Sequence, residues 1–153
     1  MKSIGRRPLL ATLGVVVVGA VASAVLWPEE SDGTEVTLYK SPECECCGGY
    51  VTYLRRNGYK VNVQNMDDVA PIKERWGVPS DLWSCHTSKI GDYVIEGHVP
   101  VASLQKLLAE RPAIQGLALP GMFEGSPGMS GAKSERWVIH SFAKGRSSVF
   151  HVI

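Results

Sequence analysis

Three of the chain's four cysteines, Cys44, Cys46 and Cys47, fall within four residues, between a β-rich run (Val36-Thr37-Leu38-Tyr39) and a segment with apolar residues at helical spacing (Tyr50, Val51, Tyr53, Leu54). Ser41-Pro42 ends the first and Asn57-Gly58 stops the second, so the sulfurs belong to a strand-to-helix turn. A helix N-terminus favours negative charge. It lowers thiol pKa values and supplies the thiolate that both disulfide exchange and metal binding require. Cys44 and Cys47 have the C-x-x-C spacing of either chemistry. Cys46 shifts the balance, because neighbouring Cα atoms lie about 3.8 Å apart, below the usual disulfide span of about 4.4 to 6.8 Å, and a Cys46-Cys47 bond would be strained. Three soft thiolates in one loop, joined by Cys85 from a distant strand, suit a metal and can bridge more than one Cu(I) ion. Two structural disulfides remain an alternative, with Cys44-Cys47 and Cys46-Cys85 as the comfortable pairing. So does a redox pair of Cys44 and Cys47.

The rest of the body alternates strand and helix. Tyr59 to Met66 reads as a strand, Val69 to Trp76 as a short helix closed by Gly77, and Ser84 to Ile90 with Tyr93 to Glu96 as a hairpin turning at Gly91-Asp92. Pro100 to Arg111 is an amphipathic helix with Val101, Leu104, Leu107 and Leu108 on one face. Residues 112–134 read as one long Gly/Pro-rich loop, and Arg136 to Phe142 with Ser148 to Ile153 as a closing hairpin around Lys144-Gly145. With 153 residues the chain suits one domain at about 100 to 200 residues each.

The chain offers further soft or nitrogen donors. His86 follows Cys85, and His98 stands at a strand end, where α/β domains present site residues. His140 and His151 lack such company and read as outward-facing polar positions. Met122 and Met129 each follow a Pro-Gly turn, seven residues apart. A thioether suits Cu(I) and does not form disulfides, so both are candidate copper ligands or steps on copper's way in.

The N-terminus reads as an address. Lys2, Arg6 and Arg7 precede an uncharged apolar stretch from Leu9 to Leu26, and Ala22-Ser23-Ala24 has the small-x-small pattern of a signal-peptidase site. Uncleaved, Leu9 to Trp27 would form roughly 28 Å of helix, enough to anchor the chain in a bilayer. Either outcome places the body outside the cytoplasm, because the arginines stay inside. The expected layout is a signal peptide or anchor over 1–27, a polar linker over 28–34, and the domain over 35–153. From residue 25 onward the chain carries 13 basic and 15 acidic residues, counted from totals of 16 and 15 after removing the three N-terminal cations. This mildly acidic body gives no reason to expect a nucleic-acid partner.

The order strand, cysteine loop, helix, strand, helix, hairpin, helix resembles that of thioredoxin-like domains, and Val36 to Cys47 is similar to a glutaredoxin opening. The expected fold is α/β, a thioredoxin-like mixed sheet flanked by helices, with an added Gly/Pro-rich loop and C-terminal hairpin. Tyr39-Lys40-Ser41-Pro42 with Cys44-x-Cys46-Cys47, then Ser84-Cys85-His86-Thr87, Glu96-Gly97-His98-Val99-Pro100, Pro120-Gly121-Met122 and Gly125-Ser126-Pro127-Gly128-Met129 together resemble the bacterial CopG-type copper-resistance family over about residues 36–142. The resemblance implies a periplasmic domain that binds copper through Cys44, Cys46, Cys47 and Cys85, with His86, His98, Met122 and Met129 nearby. It also implies a role in copper detoxification or copper redox handling, with copper ions and other periplasmic copper-handling proteins as partners. Tyr50 stands where that pattern has Trp, and Phe123 where it has Pro. A thiol-disulfide oxidoreductase using Cys44 and Cys47 is the alternative.

Overall fold

A computed structural model describes residues 33–153; the expected signal or anchor and residues 28–32 of the linker lie outside the described residues. Seven strands form one mixed sheet in the order β2-β1-β3-β4-β5-β6-β7. They are β1 (Glu35–Lys40), β2 (Lys60–Asn65), β3 (His86–Ile90), β4 (Tyr93–Gly97), β5 (Gly116–Leu119), β6 (Val138–Ala143) and β7 (Arg146–Val152). The helices are α1 (Glu45–Arg56), α2 (Ala70–Arg75) and α3 (Val101–Glu110). This α/β arrangement is consistent with the thioredoxin-like order expected from the sequence.

Helix α1 carries the chain from β1 to its parallel neighbour β2, and α3 carries it from β4 to parallel β5. Both are crossover connections, which parallel strands require. On one face Leu38, Ile95, Leu117, Leu119 and Ile139 pack with Tyr50 and Leu54 of α1 and Leu104 and Leu107 of α3. Alternate residues of the same strands, Val94 and Ala118, join Val78, Leu82 and Phe142 in a second cluster on the other face. The period of two along β4 and β5 thus feeds two cores.

One expectation is corrected. Residues 112–134 are not a single loop, because Gly116–Leu119 forms β5 between β4 and β6. All four of its residues are buried, and a continuous run without alternation carries no strand period in the sequence. Gly116 is required there, since a Cβ would lie 1.9 Å from the Val94 carbonyl oxygen. Helix α3 is one residue shorter at each end than Pro100 to Arg111, which serve as its caps.

Candidate metal centre

The cysteines converge because strand register and a helix start meet at one end of the sheet. Cys44 is the N-cap of α1, and Cys46 and Cys47 lie in its first turn. Pairing of Lys40 with His86 brings the end of β1 beside the start of β3. Pairing of Thr87 with Glu96, extended by two residues, sets Cys85 opposite His98. Cys46 Sγ lies 3.5 Å from Cys44 Sγ and 3.8 Å from Cys85 Sγ. Cys44 and Cys47 are joined as a disulfide, whereas Cys46 and Cys85 are free. Cys47 is fully buried, and the other three are partly buried.

Nitrogen donors complete the cluster. Cys85 Sγ is 3.1 Å from His98 Nε2 and 3.4 Å from His86 Nδ1. The other nitrogen of His98, Nδ1, lies 2.6 Å from the Pro127 carbonyl oxygen. A carbonyl only accepts, so Nδ1 carries the proton and Nε2 presents its lone pair to Cys85, the usual way an outer contact orients a ligand imidazole. His86 is buried, and its Nε2 has no hydrogen-bond partner. An orphaned buried nitrogen costs about 1 to 3 kcal/mol, and here it sits on a ring beside the sulfurs. Tyr50 backs both imidazoles, with ring centroids 4.7 Å from His86 and 5.4 Å from His98, and its hydroxyl donates to the Val99 carbonyl at 2.8 Å.

Burial sets the protonation states. It drives the His86 pKa well below the ordinary value, helped by His98, Lys73 and Lys40. Burial also lowers that of His98, against the Pro127 carbonyl. Both rings are therefore neutral, as metal ligands must be. The Cys85 thiol is pushed up to about 12 by burial and by Cys46 next to it. It is protonated at neutral pH and donates to His98 Nε2, and a cation would have to displace that proton. The donor set of thiols and imidazoles fits a soft or borderline ion such as copper.

The two Met turns are placed differently. Met122 is 63% exposed, so it stands outside the buried cluster, and Met129 is half-buried. The second turn reaches the centre through its backbone. Pro127 holds His98, and Gly128 (φ +86°) lies so close to α1 that a Cβ there would meet Tyr50 N at 2.3 Å. A Cβ on Gly49 would in turn be 2.5 Å from the Gly128 carbonyl oxygen, which accounts for glycine inside a helix at about 1 kcal/mol of lost propensity.

Sequence reasoning missed a buried polar group behind Cys85. Lys73 Nζ lies 2.5 Å from Glu96 Oε1 and 2.8 Å from Thr87 Oγ1, and Thr87 Oγ1 donates to Glu96 Oε2 at 2.6 Å. Glu96 also accepts from the Ser84 amide at 2.6 Å, so it fixes the residue before Cys85. Burial raises the Glu96 pKa against the lowering effect of Lys73. The available signal was a carboxylate following Val94-Ile95 in an apolar strand. The expectation for His151 is also corrected. It is half-buried and shares a 2.9 Å hydrogen bond with Ser103 of α3, an interhelix-sheet contact remote from the cysteines in the sequence.

A family described as "Protein of unknown function, DUF411" matches residues 82–129, from just before Cys85 to Met129. Two solved structures of a copper resistance protein CopG, Form 1 and Form 2, are each 35% identical to the chain. Their TM-scores are 0.73 and 0.74, and each match covers 79% of this chain and 98% of the other. No curated protein matches.

Proposed function

Because this chain belongs to the CopG copper-resistance family, we propose that it is an exported protein that holds Cu(I) through Cys44, Cys46, Cys47 and Cys85, with His86 and His98 as further donors, in copper resistance or copper redox handling. The observation that carries this reading is the convergence of four sulfurs, whose atoms all lie within 4.8 Å of one another, from two distant segments. A loop with three thiols can bridge ions, so more than one equivalent of copper is expected in the reduced protein. The apolar, arginine-led segment 1–27 supports a periplasmic location, either released or membrane-anchored.

Copper release from the pocket would be governed by the exposed Met122 and half-buried Met129, since neutral thioethers bind Cu(I) more weakly than thiolates and suit transfer. The test is competition of the reduced protein against a Cu(I) chelator. Tight uptake of more than one equivalent supports the reading, and one equivalent of zinc unmoved by excess Cu(I) refutes it.

The Cys44-Cys47 disulfide favours a second reading, a thiol-disulfide oxidoreductase. In that chemistry Cys44, the more exposed sulfur, attacks, and the buried Cys47 resolves. Cys46→Ser separates the two. A redoxin keeps its disulfide-reducing activity without Cys46, whereas the copper protein loses stoichiometry.

A further inference from the structure

Two donor groups overlap at Cys85. One is the all-sulfur set of Cys44, Cys46, Cys47 and Cys85, and the other is Cys85, His86 and His98, whose donor atoms also lie within 4.8 Å of one another. Only the first depends on the state of Cys44 and Cys47, which are disulfide-bonded here while Cys46 and Cys85 are free. The thiolate is the metal ligand, and a disulfide sulfur carries no such charge. Closing that bond withdraws two of the four sulfurs and leaves the Cys85-histidine group whole.

From this we infer that Cys85, His86 and His98 form by themselves a one-ion site within this centre, which persists when the Cys44-Cys47 disulfide is closed and takes a single borderline ion, zinc or copper. The inference rests on the metal-binding reading above. One thiolate with two neutral imidazoles is a His2Cys set, within the range of both zinc and copper chemistry. The three donors are already gathered, at 3.1 and 3.4 Å from the shared sulfur, and both rings are held inside the fold. His98 is further oriented by the Pro127 carbonyl. Cys46, 3.8 Å from Cys85, borders this group without being one of its three members.

Opening the disulfide changes capacity. A dithiol donor supplies two electrons and two protons, the Cys44-Cys47 bond breaks to two thiols, and the donor becomes a disulfide. The two thiols lose their protons on metal binding, and the four-sulfur set is restored. The disulfide thus sets whether the centre holds one ion or a thiolate-bridged group.

The experiment uses cobalt(II) and zinc(II), which do not reduce the disulfide, on the full chain with the Cys44-Cys47 bond verified by mass after thiol alkylation. One equivalent of cobalt should bind with a sulfur-to-metal charge-transfer band, and zinc should displace it. A Cys44→Ser/Cys47→Ser double variant should behave the same with or without reductant. His98→Ala should weaken binding by at least about tenfold, and Cys85→Ser should abolish the band, a second variant that guards against a folding defect in the first. After reduction and removal of the dithiol without air, Cu(I) uptake should exceed one equivalent and remain above one in His98→Ala. No cobalt or zinc binding by the disulfide form, or binding indifferent to both His98→Ala and Cys85→Ser, overturns the one-ion site. Failure of the reduced chain to take up Cu(I), with cobalt binding intact, instead overturns the copper reading and leaves the one-ion site standing.

Discussion

His98 takes its orientation from Pro127, whose carbonyl oxygen accepts the Nδ1 proton at 2.6 Å across 29 residues of sequence. The turn that places this carbonyl depends on Gly128, which has φ +86° and no room for a Cβ against Tyr50 N. Gly128→Ala should therefore displace the turn and lower copper affinity by about 10- to 100-fold, the usual effect of losing an outer contact to a ligand imidazole. Long-range nitrogen NMR of His98 checks the cause, since the Nδ1-H form should lose its dominance. Unchanged tautomer and affinity would show that the turn is decorative.

The methionines should matter in a different way. Replacing Met122 and Met129 by Leu conserves apolar volume and should cost less than about 1.5 kcal/mol of stability. Stoichiometry should hold, while the rate of copper transfer and of Cu(I) oxidation in air should change. Identical rates in parent and double variant would remove both residues from the site.

Loss of single thiols should be graded by position. Cys46→Ser and Cys85→Ser should each lower Cu(I) stoichiometry, because Cys46 links the helix sulfurs to Cys85 at 3.5 and 3.8 Å. Metal analysis of the reduced variants after desalting measures this, and full stoichiometry in both would contradict the ligand set.

The Lys73-Glu96 pair, with both side chains buried, should be expensive to break. Glu96→Ala leaves the ammonium without its counter-charge and should destabilise the fold by about 3 to 5 kcal/mol. Because Glu96 also holds the Ser84 amide, copper affinity should fall with it. Denaturant unfolding of Lys73→Met, Glu96→Gln and the Lys73→Met/Glu96→Gln double variant, beside Glu96→Ala, tests the coupling. The double variant should lose less than the sum of its single changes.

Acid should weaken the metal-free protein before carboxylates titrate. His86 and His98 have folded pKa values below their ordinary one, so the unfolded chain binds more protons as pH falls past about 6.5. Their contribution is present above that value and is lost as pH falls toward the folded pKa values. Unfolding free energy should decline as pH falls below about 6.5, and His86→Gln should flatten the decline. A flat parent curve over this range would contradict the burial argument.

The sequence by itself determined the local pieces. The β-rich run of β1, the alternation of β2, the hairpin turn at Gly91-Asp92 between β3 and β4, the amphipathic α3 and the strand-to-helix turn bearing Cys44, Cys46 and Cys47 are all properties of neighbouring residues. So is the soft character of the donors, whereas it is the observed β3–β4 register that sets Cys85 opposite His98. Tertiary structure decided what no local pattern encodes. β5 exists because β4 and β6 supply its hydrogen bonds on both sides, and four buried residues show no alternation of their own. The Pro127 carbonyl on His98 and the Lys73-Glu96-Thr87 group behind Cys85 arise from pairings made only once the sheet has closed. Met122 and Met129 share a motif but not an environment, because the Gly128 turn is pinned against α1 while Met122 lies in solvent. Residue type and spacing fix which chemistry is available, and the long-range hydrogen bonds and close backbone contacts of the folded sheet fix where each donor points.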